Sequence, residues 1–313
     1  MVASWSQATA PALARRSPRA VASVIGGAAA PISRFPFQVA LYDPELGRPA
    51  TGFFCGGVIV DATHVITAAH CLAGTAHSPA RLSREVAVLA GSTSLDRPDP
   101  GSVNDPAVSV SMDPHYNPTT NDYDIGIVTL ARGLWTGATA PSTSGAGPIA
   151  PLPIDRAAAE SYGEPNGTPS VIATVSGWGD TSPAPGAASY PMSLRSVRVP
   201  LVSEGSCQEA YASIELSITP RMICAGSSRP RADSCFGDSG GPLVVDRDNP
   251  AHPPGDYVLV GLVDFGDGCA LPGFAGVYTR IADPAIAHYL ATDIGSRAKA
   301  AGHRGRKKKH RHH

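Results

Sequence analysis

Charge and long apolar runs are both scarce in this chain. Charged residues make up 16% of its 313 positions, and no apolar run approaches the length that a bilayer-spanning helix needs. The lack of such a run excludes a helical membrane anchor and predicts a soluble protein. What the chain has instead is 33 glycines and 30 prolines, a content that favours a loop-rich all-β protein over a helical bundle.

Metal-type cysteine spacing is absent as well. The six cysteines form no C-x-x-C pair, so the sequence predicts disulfides, no metal site and no cofactor. Their even number and long gaps indicate an oxidising compartment, with six free thiols in a cytosolic protein as the alternative. The cysteines are Cys55, Cys71, Cys207, Cys224, Cys235 and Cys269.

Residues 1–23 lack the apolar core of a standard signal peptide. They are rich in alanine, serine, proline and arginine without periodicity, and we interpret them as a leader or propeptide. Either the start of the chain is misassigned or a true signal has been lost, and the sequence leaves both alternatives open. The cysteines still predict a secreted, extracellular protein.

Short apolar runs, separated by glycine, proline and aspartate clusters, recur along the rest of the chain. They predict an all-β protein in which two sets of about six short antiparallel strands form two barrels. We place the first barrel at residues 24–150, the second barrel with a short helix from Pro284 to Thr292 at 151–292, and a disordered basic tail at 293–313. The predicted strands are 35–41, 55–60, 64–68, 86–90, 108–112, 125–130, 171–177, 194–202, 222–225, 242–245, 257–265 and 276–281.

The loop at residues 235–242, Cys-Phe-Gly-Asp-Ser-Gly-Gly-Pro, surrounds Ser239 with glycines. Such a loop suggests an unusual backbone that approaches a ligand closely, although a glycine-rich hairpin with a chance serine has the same composition. A nucleophilic serine needs a histidine to take its proton and a carboxylate to orient that histidine. His70, at the end of an apolar strand, and Asp124, at the start of another, supply these groups.

Five motifs occur in one order: TAAHC at 67–71, DIGIVTL at 124–130, VSGWGD at 175–180, CFGDSGGPL at 235–243 and GVYTR at 276–280. They resemble the trypsin-like serine endopeptidases over about residues 24–290, in the manner of secreted actinobacterial trypsins. The resemblance implies polypeptide substrates and two six-stranded antiparallel barrels with the active site between them. It further implies a catalytic triad of His70, Asp124 and Ser239, and an oxyanion hole formed by the N–H groups of Gly237 and Ser239.

Asp233, six residues before Ser239, stands where the family has the floor of its primary specificity pocket. A buried carboxylate there is compensated by a substrate Arg or Lys, so the resemblance implies cleavage after these residues. The alternative is a solvated loop aspartate. The implied substrate-binding residues are Asp233, Ser234, Phe236, Phe265, Gly266 and Gly276.

The resemblance also implies activation by proteolysis. In the family, the acid that corresponds to Asp238 pairs with an α-amino group released by cleavage before a motif like Val-Ile-Gly-Gly at 24–27, so Val24 becomes the expected first residue. The chain departs from the usual pattern at Ser23, which is neither Arg nor Lys. Self-activation at this bond is therefore not expected, and another protease, or trimming after Arg19, is required.

The disulfide pairing follows from the resemblance and not from spacing, since six cysteines allow fifteen connectivities. It joins Cys55 to Cys71, Cys207 to Cys224, and Cys235 to Cys269. The last bridge is expected to brace the nucleophile loop against the far wall of the specificity pocket.

A second departure lies at residues 263–266, Val-Asp-Phe-Gly, where the family usually has Ser-Trp before a pocket-wall glycine. Asp264 stands in place of a serine that donates a hydrogen bond to the triad carboxylate, so it brings a second carboxylate near Asp124. Two close carboxylates cannot both ionise cheaply, so we expect one to hold a proton at a raised pKa and the activity to depend unusually on pH. The alternative is that Asp264 turns toward solvent or an arginine.

The tail from Arg297 to His313 holds eight Lys or Arg, four His and no acid. We interpret it either as a solubilising disordered end or as a binding segment for anionic polymers. The expected protein is otherwise a monomer. The rival to the protease interpretation is a catalytically weak or silent protease-like domain that binds a partner or an anionic surface, with Asp264 and the tail in its favour.

Overall fold

The structure is a computed structural model. It describes residues 26–73, 81–135, 149–161, 171–181, 190–226, 233–247, 256–268 and 271–295. Val24, Cys269 and residues 296–313 of the basic tail therefore lie outside the described residues, whereas residues 293–295, predicted as disordered tail, belong to a helix. Within them, no helix is long and apolar enough to cross a membrane.

The described residues form thirteen strands, four helices and four short 3-10 turns. The strands are β1 (Ala28–Ala29), β2 (Gln38–Tyr42), β3 (Phe53–Ile59), β4 (His64–Thr67), β5 (Ala87–Ala90), β6 (Val103–Met112), β7 (Gly126–Leu130), β8 (Ile172–Gly177), β9 (Arg195–Val202), β10 (Met222–Ala225), β11 (Pro242–Asp246), β12 (Tyr257–Phe265) and β13 (Gly276–Arg280). The helices are α1 (Pro49–Gly52), α2 (Arg156–Ser161), α3 (Glu204–Ala212) and α4 (284–295). The 3-10 turns are Ile32–Arg34, Pro44–Leu46, Ala69–Cys71 and Ser83–Glu85.

The first barrel is closed by six antiparallel strands in the order β2-β3-β4-β7-β6-β5. Its interior is filled by fully buried aliphatic side chains, for example those of Val39, Leu41, Val65 and Val128. All five residues of β2 are buried, because one face of the strand fills this barrel and the other face packs toward the second barrel. The sequence predicts this strand, at residues 35–41, from its alternating pattern.

The second barrel has the strand order β9-β10-β13-β12-β11-β8, and pairing of β8 with β9 closes it. Buried aliphatic side chains again fill the interior, including Val175, Val199 and Leu243. Strand β1 adds to the outside of β9, with Ala28 opposite Ser196. The prediction of two six-stranded antiparallel barrels is confirmed.

A further apolar cluster joins the two barrels. It includes Ile125 from the first barrel, Leu259 from the second, and Ile286 and Leu290 from α4. Helix α4 begins where the Asp283 carboxylate accepts hydrogen bonds from backbone N–H groups of the first turn, which satisfies donors that a helix start leaves free. The predicted terminal helix is confirmed, while the domain boundary at residue 150 stays a prediction.

Several elements differ from what the sequence predicts: β1, α1, α2 and α3 were not predicted, and β6 is longer than expected. Strand β6 begins at Val103 and not at residue 108, since it pairs with β5 through a polar stretch that carries no strand pattern. Helix α3 was not predicted because only two of its side chains, Cys207 and Tyr211, are buried, so it has no apolar stripe. A Ser203 cap and the bridge from Cys207 to Cys224 on β10 hold it in place.

Candidate active site

His70 and Asp124 are brought together by strand register. In the first barrel β4 pairs antiparallel with β7, and Thr67 at the end of β4 lies opposite Gly126 at the start of β7. His70 follows β4 in a 3-10 turn, and Asp124 precedes β7 by two residues. The two side chains therefore emerge at the same edge of the barrel, although 54 positions separate them.

The His70 ring donates to Asp124 from Nδ1, with 2.7 Å between Nδ1 and Oδ2. The other carboxylate oxygen, Oδ1, accepts from the His70 backbone N–H at 2.7 Å. Since a carboxylate only accepts, the proton of the neutral ring stands on Nδ1, and Nε2 is left to take a proton. Burial lowers the pKa of His70, but the charge and hydrogen bond of Asp124 raise it more, so the net pKa lies above the usual value.

The loop of Ser239 is held by backbone contacts to both barrels. The Gly56 N–H of β3 donates to the Ser239 carbonyl at 2.8 Å, and the Gly240 N–H donates to Val263 of β12 at 2.8 Å. Gly240 has a φ of +73°, and a Cβ there would lie 2.1 Å from the Thr67 hydroxyl oxygen. Only glycine satisfies both conditions, which explains the glycine that follows the serine.

Some backbone N–H groups of this loop make no hydrogen bond within the described part of the chain, and those of Gly237 and Ser239 are among them. Among the described residues, those of Asp238, Gly240 and Gly241 donate to backbone carbonyls, while those of Gly237 and Ser239 have no intramolecular acceptor. Gly237 has a φ of +94°, a conformation that suits glycine. The two free donors flank the Ser239 side chain, and this arrangement suits binding of a negatively charged oxygen.

A cleft of about 360 Å³ connects the catalytic candidates to the predicted specificity pocket. It lies where the two barrels meet. All six predicted substrate-binding residues line it. The lining residues are His70, Asp233, Ser234, Cys235, Phe236, Ser239, Val263, Asp264, Phe265, Gly266, Gly268 and Gly276.

Asp233 is buried in the wall of this cleft, at 4% exposure. A Cβ added to Gly276 would lie 2.8 Å from its Oδ1 atom, so the carboxylate stands against bare backbone at the start of β13. Nearby, the hydroxyls of Ser234 and Tyr278 are 3.1 Å apart. Burial, and then the charge of Asp233, raise the pKa of Tyr278 well above its usual value, which keeps this phenol neutral.

Asp238 is fully buried behind the serine loop. Its Oδ1 accepts from the Gly179 N–H at 2.8 Å, and its Oδ2 accepts from the Cys235 N–H at 2.9 Å. Burial raises the pKa of Asp238 to about 6, although these two hydrogen bonds lower it. The described residues place no cation against this carboxylate, and Val24, its predicted partner, lies outside them.

Asp264 lies beside the His70–Asp124 pair, at a bulge in β12 where the pairing with β13 shifts register. It is 5% exposed, and side-chain atoms of these three residues lie within 4.8 Å of one another. Burial, and then the charge of Asp124, raise the pKa of Asp264 well above its usual value. The prediction of a second carboxylate near Asp124 is confirmed, and the direction of the pKa shift agrees with the expectation of a held proton. The alternative, in which Asp264 turns toward solvent, is wrong, and no ion pair joins it to an arginine within the described residues.

The same three side chains are spaced closely enough to hold a metal ion, but the hydrogen bond between His70 and Asp124 already occupies two of the donor atoms. A second group of such residues in the described part of the chain, Cys55, Cys71 and His70, has no thiolate to offer because its cysteines form a disulfide.

The disulfide predictions are confirmed for two pairs, Cys55–Cys71 and Cys207–Cys224. Cys235 is also disulfide-bonded, but Cys269, its predicted partner, lies outside the described residues. The bridge between Cys55 and Cys71 ties the turn that carries His70 to strand β3.

Two residues at the site escaped the sequence reasoning. Thr279 donates from its hydroxyl to the Asp124 carbonyl at 2.6 Å and so links the barrels behind the site. Tyr116 faces the carboxylates of Asp124 and Asp264, and burial together with their charges raises the pKa of its phenol. Thr279 belongs to the GVYTR motif, so the sequence could have indicated that it lies near the site. Tyr116 lies in no motif, and nothing in the neighbouring sequence indicates its position.

Comparisons with known proteins agree with this geometry. The family model described as Trypsin matches residues 24–286. A protein named Trypsin from Saccharopolyspora erythraea is 32% identical, over 82% of this chain and 93% of that protein. Trypsin-1 of Astacus astacus is 32% identical over 82% of this chain and 95% of its own length, and human Kallikrein-14 is 34% identical over 82% and 80%.

Proposed function

The chain belongs to the trypsin family of serine endopeptidases, and we propose that it cleaves polypeptides after Arg or Lys through an acyl-enzyme on Ser239. The observation that carries the proposal is the single cleft in which the buried Asp233 carboxylate shares a wall with Ser239 and His70.

The proposed reaction begins when the Ser239 hydroxyl attacks the substrate carbonyl and Nε2 of His70 takes its proton. Asp124 holds the ring in the required tautomer and stabilises the imidazolium that forms. The N–H groups of Gly237 and Ser239 bind the developing oxyanion, and each such donor contributes about 3 kcal/mol in comparable proteases. His70 then passes the proton to the leaving amine, and water reverses the steps to release the acid.

Specificity is proposed to come from charge at the bottom of the cleft. Asp233 is buried, and a negative charge in a buried site attracts a cation more strongly than one in water, so a substrate cation that reaches the carboxylate is favoured. Gly266 and Gly276 add no side chains to the cleft, which leaves room for a long basic side chain. Ser234, Phe236 and Phe265 are proposed to contact the substrate along the rim.

The test compares chromogenic peptides that differ only in the residue before the cleaved bond. We expect Arg and Lys substrates to exceed Phe and Leu substrates, and Asp233→Asn to lower kcat/KM for Arg by about 100-fold or more, since truncating one partner of a buried charge pair costs about 2–5 kcal/mol. Asp96→Asn, at an exposed site of the first barrel, is the matched control. Preference of the unaltered enzyme for the apolar substrates would overturn the specificity.

Activation is proposed to require a cut before Val24. The support is Asp238, a fully buried carboxylate held only by backbone N–H groups among the described residues. A new α-amino group delivered to it supplies the missing positive charge and orders the serine loop. N-terminal sequencing of active enzyme tests this, and an active form that retains residues before Val24 would contradict it.

The alternative is a protease-like domain with little or no catalysis, and Asp264 beside the triad is the observation in its favour. An organophosphate separates the two functions, because it reacts only with an activated serine. We expect stoichiometric labelling of Ser239 in the cleaved chain and none in His70→Ala.

The two disulfides agree with an oxidising compartment, and we infer that the enzyme is secreted and monomeric. The basic tail remains either a solubilising end or a binding segment for anionic polymers. Salt-dependent retention on heparin, compared between the full chain and a chain ending at residue 296, distinguishes these roles.

A further inference from the structure

Within the part of the chain that the structure describes, neither oxygen of the Asp264 carboxyl accepts a well-aligned hydrogen bond. Asp264 is 5% exposed, and both oxygens are inaccessible to solvent. The Asn121 side chain lies near, yet neither oxygen receives a well-aligned hydrogen bond from it. An ionised carboxylate in this position would be stabilised neither by solvent nor by well-aligned donors, which is costly. A neutral carboxylic acid avoids this cost and can donate a hydrogen bond itself.

The groups around Asp264 come from four elements besides its own strand. They bring carboxylates, phenol hydroxyls and the Asn121 amide. Of the groups that face Asp264 in the described part of the chain, the His70 ring is the one that can become cationic. Arg221 is paired with Asp122 at 2.6 Å, so its charge is already engaged. The facing groups are His70 after β4, Tyr116 after β6, Asn121, Asp122 and Asp124 before β7, and Tyr211 of α3.

Asp124 is the acceptor that a proton on Asp264 would meet. Both Asp124 oxygens already accept hydrogen bonds from His70, and each carboxylate oxygen can accept a second one. A carboxyl O–H from the opposite side of Asp124 would fix this carboxylate between two donors. Such a hydrogen bond would restrict rotation of the His70 ring and keep its Nε2 atom directed toward the cleft.

We propose that Asp264 is a positioning residue that stays protonated in the working enzyme and donates a hydrogen bond to the Asp124 carboxylate. The proposal rests on the proposed function, since it gives His70 the role of base. The raised pKa of Asp264 agrees with it. If Asp264 were ionised, two negative charges would face His70, the ring would hold the proton instead, and no base would be left for Ser239.

The proposal predicts how activity depends on pH. Below the pKa of Asp264 the donor is present and Asp124 is held. As pH rises through that pKa, Asp264 loses its proton, the donor disappears and the two carboxylates repel, so kcat falls on the alkaline side. Asp264→Asn carries a permanent N–H donor of nearly the same shape and has no proton to lose, so its alkaline limb should be absent.

The kinetic experiment uses the enzyme cleaved before Val24, with active sites counted by organophosphate labelling. We expect wild type to lose at least tenfold in kcat at alkaline pH, Asp264→Asn to stay level there, and Asp264→Leu to lose about tenfold in kcat at every pH with KM little changed. Asp267→Asn, three residues further on, is the control and should follow wild type. Coincident pH profiles for wild type and Asp264→Asn overturn the proposal. A shift of the acidic limb to higher pH in wild type, relative to Asp264→Asn, also overturns it, because such a shift means that Asp264 is ionised and that His70 holds the proton.

A spectroscopic experiment tests the proton without relying on activity. In a Ser239→Ala chain at neutral pH, infrared difference spectra against Ser239→Ala/Asp264→Asn should show the carbonyl stretch of one protonated carboxyl. The absence of that band overturns the proposal. If the band is present and no variant labels with the organophosphate, the failure belongs to the proposed function and the protonation stands.

Discussion

The buried carboxylate of Asp238 should make the uncut chain less stable as the pH rises from 4 to 7. Its pKa is raised from 3.8 to about 6 by burial. Between these values the folded chain binds more protons than the unfolded chain, so the free energy of unfolding decreases with increasing pH. A difference of about two pKa units corresponds to about 3 kcal/mol, and burial is complete, so solvent screening does not reduce it.

The comparison that isolates this effect is Asp238→Asn in a Ser239→Ala chain, which cannot digest itself. The amide accepts from only one of the two N–H groups that face residue 238, so the variant carries a pH-independent loss of about 1–3 kcal/mol. The measured quantity is therefore the slope. Urea unfolding at pH 4, 5, 6 and 7 should show the parent losing about 2 kcal/mol more than the variant across this range, since the unfolded-state group is already partly ionised at pH 4.

The same measurement on a chain cut before Val24 tests the activation proposal. Once an α-amino group neutralises Asp238, the folded-state pKa no longer exceeds the unfolded value, and the decrease in stability should disappear. A recognition sequence for a specific protease, placed directly before Val24, supplies the cut. Parallel profiles for the uncut parent and Asp238→Asn would refute the reasoning about burial. A decrease that persists in the cut chain would refute the pairing with Val24.

Three further substitutions test the site. Gly276→Val places side-chain atoms against the Asp233 carboxylate, so kcat/KM for an Arg substrate should fall at least 100-fold while organophosphate labelling of Ser239 is retained. An unchanged kcat/KM would place the specificity pocket elsewhere. Gly240→Ala combines a φ of +73° with a Cβ that would lie 2.1 Å from the Thr67 hydroxyl, so Tm should fall by about 5 °C or more in calorimetry, and an unaltered Tm contradicts the strain. Asp124→Asn should lower kcat about 10⁴-fold with little change in KM, because the amide permits the wrong histidine tautomer, and a loss below tenfold would show that Asp124 does not orient the ring.

The barrels were predictable because their strands bury at least one face and therefore carry an apolar pattern. Strand β2 is buried throughout, and an alternating pattern around it was enough to predict a strand without tertiary information. The exposed half of β6 and the weakly apolar α3 carry no such pattern. Their structure depends on pairing with β5 and on a disulfide to β10, which are long-range contacts that local sequence does not encode.

The catalytic candidates could be named from the sequence, but their surroundings could not. His70 and Asp124 belong to motifs, and the register of β4 and β7 explains why those motifs meet. Thr279 and Tyr116 reach the same site from a different barrel and from a loop, and only the folded structure shows what they face. Motifs therefore predict which residues react, while the fold determines what holds and polarises them.

The charge of each buried acid at this site depends on the donors that face it. Asp124 accepts two hydrogen bonds from His70, and Asp238 accepts two from backbone N–H groups and still has a pKa of about 6. Asp264 accepts no well-aligned hydrogen bond from the described residues, and its pKa lies well above the usual value. The same residue type is thus proposed to orient the base, to await an amine, and to hold a proton. These three roles differ because the number of donors and the burial differ from one aspartate to the next. For Asp264, the effect on the site therefore depends on its position beside Asp124, and not merely on its being an acid. Moving that carboxyl away from Asp124 should remove its influence on the pH profile even if an acid were kept elsewhere in the cleft.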